Sequence, residues 1–201
     1  MEWLIALRHG GDHVISDRWQ ILGVLGTCAG IAVCSLYVTK STAQSANNLS
    51  PIYGITIPDG FRDWRLISVN HLAGAGGKLK QVRAQLGNDI AIKAFREGIL
   101  PFPDGTIIAA LHWTEASSDE NNKVLAIGFP GADLQSSVAQ SAENVQFMVK
   151  DSKKYAATGG WGFADFKNGK PGDEALHNTC FPCHQPAKGR DYVFTRYAPT
   201  P

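Results

Sequence analysis

Near its C-terminus the chain carries Cys180, Phe181, Pro182, Cys183 and His184, a C-x-x-C-H written once. On a short helix, residues three apart lie on nearly the same face, so both thiols can reach one edge of a flat macrocycle while the next imidazole stays near its centre. The chemistry that uses all three groups is addition of the thiols across the vinyl groups of haem, with His184 as axial ligand of the iron. That reading implies one covalent haem c per chain. A redox dithiol or half of a zinc site would use the same cysteines. The first wants a βαβ surround and the second another ligand pair at similar spacing, and neither is evident.

Thioether attachment implies an exported protein, and the N-terminus agrees. Residues 21–38 form an uninterrupted apolar run of 18 residues between Arg18 and Lys40. Its length lies between a long signal-peptide core and a minimal membrane span, and the small residues from Ser41 to Ala46 offer a cleavage region. A buried core helix would show a polar face, which the run lacks. Residues 1–45 therefore read as a leader and 46–201 as the domain, placed in the periplasm, secreted, or anchored to the inner membrane by residues 21–38. Cys28 and Cys34 lie in the run, so the domain keeps only the two motif cysteines. A net charge of +1 leaves no basic footprint for nucleic acid.

Along the domain, residues 46–51 read as a polar linker and Pro58 to Gly60 as a turn. Trp64 to Val69 and Leu79 to Leu86 alternate like half-buried strands. The glycine-rich Ala73 to Gly77 lacks the G-K-[ST] ending of a phosphate loop and reads as a turn. Asn88 is a good N-cap and Gly98 a good stop, with Ala91, Ile92, Ala94 and Phe95 as one stripe, so a short helix runs from Asn88 to Glu97. Thr106 to Trp113 is the most β-like stretch. Ser117 to Asn122 reads as a loop, Val124 to Phe129 as a further strand, and Val145 to Val149 as a short one. Trp161 to Phe166 alternates large aromatics along one sheet face, and Lys167 to Gly172 is a loop. Asp173 then caps a last helix, Glu174 to about Cys183, which carries the motif. The expected class is α+β: strands with a few short helices, and a haem resting against the sheet.

Several segments in this order resemble the cytochrome P-460 and cytochrome c′-beta family. They are Val145 to Tyr155, Thr158 to Phe163, the C-x-x-C-H, and Asp191 to Thr195, with Trp64 and the Phe102 to Thr106 turn extending the match to roughly residues 52–198. The resemblance implies a mainly antiparallel sheet, a periplasmic c-type haem with a proximal histidine, an open distal side, and homodimers in some members. P-460 members oxidise hydroxylamine, passing electrons to a partner cytochrome, whereas c′-beta members bind diatomic gases. A lysine that cross-links the porphyrin separates the two, and Ala109 and Ala110 stand where it would be. The resemblance further implies a distal arginine, here Arg83, and a distal carboxylate, here Glu174. Met148, His71, His112 and His177 are the side chains that could fill a sixth site, which would make the chain an electron carrier. The expectation is an exported haem protein binding a small nitrogen or oxygen ligand such as nitric oxide, with hydroxylamine oxidation and simple electron transfer as alternatives.

Overall fold

The computed structural model describes residues 48–77 and 80–198. The leader and its apolar run lie outside them, and among the described residues no helix is long and apolar enough to cross a membrane. Six strands form one antiparallel meander in chain order: β1 (Arg65–Ala73), β2 (Lys80–Gly87), β3 (Ile107–Ser117), β4 (Ser137–Lys150), β5 (Trp161–Lys167) and β6 (Lys170–Pro171). Three short helices punctuate it: α1 (Asp89–Glu97), α2 (Asp119–Gly128) and α3 (Glu174–His184). The α+β expectation holds.

The helix ends follow from their capping residues. Asn88 Oδ1 accepts from the Ala91 amide at 3.0 Å, and Gly98 closes α1 in the left-handed region, φ 66°. The same oxygen accepts from the Ile107 amide and Nδ2 donates to the Gly105 carbonyl, so the cap also fastens α1 to the start of β3. Asp173 caps α3 by accepting from the Leu176 amide at 2.8 Å.

Alternation along the strands sorts side chains onto two faces. One face carries Leu111, Phe147, Ala164 and Phe166, all buried. The segment before β1 helps to cover it, with Phe61 edge-on to Phe147 at 5.2 Å between ring centres. On the other face, register brings Asn70, Arg83, His112 and Asn144 into one row, and Gln85, Ala110, Gln146 and Asp165 into the next. Ile108, Met148 and Phe163 make a third.

Several local expectations need correction. Val124 to Phe129 is not a strand: most of it is the second half of α2, whose first turn replaces the expected Ser117 to Asn122 loop. Ser118 Oγ accepts from the Asn121 amide, and Asp119 and Glu120 complement the positive helix N-terminus. The linker ends before Ser50, which is buried and accepts from the Ile55 amide through Oγ at 3.0 Å. In β1 a bulge between Leu66 and Ser68 breaks the expected alternation: Ile67 is fully buried, whereas Leu66 and Val69 are both exposed. In β5 every residue from Trp161 to Phe166 is buried, so the strand is covered on both faces. β4 also begins eight residues before Val145, and the Lys167 to Gly172 loop contains the two-residue β6.

Candidate functional site

The polar face of the sheet closes one side of a cavity of about 280 Å³. Helix α3 and the segment Val193 to Thr195 line the remainder. Cys180, Cys183, His184 and Arg83 all line it; Glu174 does not, sitting exposed in the first turn of α3. Of the four side chains considered for a sixth ligand, His112 and Met148 face the cavity. His71 is paired instead with Glu115 on the exposed end of the sheet. His177 is fully buried with both ring nitrogens used: Nδ1 bonds the Asp173 carbonyl at 2.7 Å and Nε2 accepts the Asp165 amide at 3.2 Å. It is the pin that docks α3 on β5, satisfying an amide at the strand edge that the short β6 leaves open.

On the α3 side, His184 Nδ1 donates to the Tyr192 carbonyl at 2.7 Å. That bond fixes the tautomer and leaves Nε2, which has no hydrogen-bond partner among the described residues, as the free lone pair. The ring lies between Phe163 and Phe194, at 4.9 and 5.1 Å between centres. Burial lowers its proton affinity from the ordinary value and so favours the neutral imidazole, with the Tyr192 carbonyl opposing in part. Cys180 is half-buried and Cys183 exposed, and they are not joined to each other. Burial, reinforced by the charge of Asp165, pushes the Cys180 thiol up to about 11. It is therefore held as a neutral thiol. Among the described residues no group of three or more metal-ligating side chains gathers, so the cysteine pair finds no second pair of zinc ligands there.

The opposite wall is polar. Arg83 Nε and Nη2 donate to Gln81 Oε1, at 3.0 and 2.5 Å, and Gln81 Nε2 in turn donates to Glu143. Arg83 is thus held in place by an amide rather than neutralised by a carboxylate at contact distance, and burial lowers its proton affinity. Asp165 accepts from Asn144 at 2.5 Å and from Gln146 at 2.9 Å. His112 is pushed down to about 4, first by burial and then by the charge of Arg83, so it is neutral at pH 7. Gln85, only 4% exposed, has an Oε1 with no hydrogen-bond partner among the described residues. A buried acceptor without a donor is costly, so this oxygen calls for a hydrogen-bond donor from a water or a bound group in the cavity. Ala110 lies in the same row and lines the cavity, whereas Ala109 is buried on the other face; no lysine lines the cavity among the described residues.

Reading the sequence alone missed Asp165, His112 and the two glutamines as a set. Asp165 sits between Ala164 and Phe166 in a run that reads as aromatic packing, although a carboxylate inside an otherwise apolar strand is itself a signal. Trp161 packs on Phe102 and does not reach the cavity, whereas Phe163 lines it.

These features define a cofactor-binding protein whose cleft sets one free imidazole nitrogen and two thiols against a polar sheet wall. A family model, Cytochrome P460, matches residues 58–195, and the chain belongs to the cytochrome P460 family. Membership implies a haem cofactor, which the imidazole and the two thiols in the cavity suit. No curated protein matches the chain.

Proposed function

We propose that the chain is an exported c-type haem protein that takes a small nitrogen or oxygen ligand, nitric oxide foremost, on the sheet side of its cofactor. The observation that carries this reading is the opposition of His184, its Nδ1 committed to Tyr192, to the polar wall of Arg83, Gln85, His112 and Asp165 across one cavity. Cys180 and Cys183 would hold one haem by thioethers and His184 Nε2 would ligate the iron. When bound, the haem supplies an iron that coordinates a small ligand and exchanges electrons. The chain's own residues do the rest. Arg83 offers a charged donor to a polar or anionic ligand, Gln85 and Gln146 offer amides, and Phe163 excludes water. The thioethers retain the cofactor outside the cytosol, with residues 21–38 as export signal or anchor.

Asp165 favours one second reading, hydroxylamine oxidation, because a carboxylate among amide donors can accept protons from a bound substrate, the role first sought at Glu174. Ala110, at the position where a lysine would cross-link, weighs against it.

The test is the ultraviolet–visible spectrum of the ferrous protein, matured with a haem-c assembly system, before and after nitric oxide. A five-coordinate c-type spectrum that shifts with nitric oxide supports gas binding. A strongly red-shifted Soret band would transfer the protein to the enzyme reading. A six-coordinate spectrum indifferent to the ligand would make it an electron carrier through His112 or Met148. A Cys180→Ala, Cys183→Ala variant that still holds haem covalently would overturn the attachment.

A further inference from the structure

Behind His184, away from the cavity, lies a buried ion pair that none of the chemistry above uses. Lys150, the last residue of β4, places Nζ 2.8 Å from both carboxylate oxygens of Asp191, and the two side chains are 5% and 8% exposed. The same Nζ donates to the Gly159 carbonyl at 3.1 Å and lies 5.0 Å from the centre of the Trp161 ring. Asp191 Oδ2 also accepts the Phe102 amide at 2.8 Å. A buried pair of this kind is weak evidence for stability, since apolar packing can replace it; what it does supply is a fixed geometry.

The geometry it holds is unusual. Asp191 and Tyr192 are consecutive non-glycine residues in the left-handed region, φ 52° and 65°. Such residues persist only where the surroundings over-determine them. Here Asp191 is clamped by Lys150 and Phe102, and the Tyr192 amide bonds the Ala187 carbonyl at 2.9 Å. The Tyr192 ring lies against Gly159, where a Cβ would come within 2.2 Å of Cε2. The group these restraints deliver is the Tyr192 carbonyl, the acceptor for His184 Nδ1–H.

We propose that Lys150 and Asp191 are positioning residues for the proximal histidine: by clamping the left-handed turn they fix the Tyr192 carbonyl, and through it the orientation and electron donation of the His184 imidazole. A well-aligned acceptor at Nδ1 raises the basicity of the ligating nitrogen, which favours the more oxidised metal. The inference rests on His184 being the axial ligand.

The experiment uses the haem-loaded protein and two readouts, the iron–imidazole stretching band in resonance Raman and the reduction potential. Lys150→Met alone strands a buried carboxylate and can fail to fold, so the decisive variant is the double Lys150→Met, Asp191→Asn, which removes both charges and retains an acceptor for the Phe102 amide. The expected result is a lower iron–imidazole frequency and a more positive potential. Asn88→Ala, which weakens the fold at the α1 cap, leaves both unchanged, so general destabilisation is not the cause. A normal wild-type band that the double variant leaves in place, together with the potential, would overturn the positioning role alone. A wild-type protein with no iron–imidazole band would overturn the axial assignment and this inference with it.

Discussion

His112 gives a sharp prediction because its surroundings disfavour its charged form. It is only 5% exposed, and burial together with Arg83 moves it from 6.5 to about 4. For a base whose folded value is depressed, the unfolded chain binds the extra proton between those two limits, so stability is greatest above pH 6.5 and falls as the pH drops toward 4. At about 1.4 kcal/mol per unit of separation, the full loss is about 3 kcal/mol, and about 2 kcal/mol of it is gone at pH 5. The assay is urea unfolding of wild type and His112→Gln at pH 7.5 and 5.0. Carboxylates and the other histidines titrate in both proteins and cancel in the double difference. Wild type should lose about 2 kcal/mol more than the variant over that interval. Equal losses, within about 0.5 kcal/mol, would refute the claim that His112 is held neutral by its burial.

Three further outcomes follow from the same geometry. Arg83→Met removes a charged donor worth about 1–3 kcal/mol, so nitric oxide should leave the ferrous protein about 5- to 150-fold faster in stopped flow; an unchanged rate would remove Arg83 from the ligand's surroundings. His177→Leu leaves the Asp165 amide buried without its acceptor, at about 1–3 kcal/mol, and should lower the urea midpoint with no change in the slope; an unaltered midpoint would mean that α3 docks by other contacts. Gly159→Ala meets both a positive φ of 68° and the Tyr192 ring, whereas Gly169→Ala meets a φ of 75° with none of the described residues within 4 Å of the new Cβ. The first should therefore cost about 1–3 kcal/mol more in thermal or urea unfolding than the second, and equal costs would refute the tight packing of Tyr192 on Gly159.

What could be read from the sequence alone was local in its physics. Asn88 and Asp173 announce helix starts because a short side-chain oxygen satisfies an amide two or three residues on, and Gly98 announces an end because it can turn left-handed without strain. The spacing of Cys180, Cys183 and His184 similarly carries its chemistry within one helical turn. Where two local signals competed, as at Val124 to Phe129, β-prone residues suggested a strand, yet the cap at Ser118 and the acidic first turn produced a helix. The polar wall could not be read in this way. Asn70, Arg83, His112, Gln146 and Asp165 come from five strands and meet only because strand register sets them side by side, and register depends on every pairing in the sheet. The choice of Asp165 over Glu174, and of Ala110 over Ala109, is likewise a choice of face. So is the Tyr192 carbonyl behind His184, whose place depends on an ion pair 41 residues apart in sequence. Local spacing determined which chemistry this chain could attempt; only the packed sheet decided which side chains surround it, because only packing brings distant residues to one cavity.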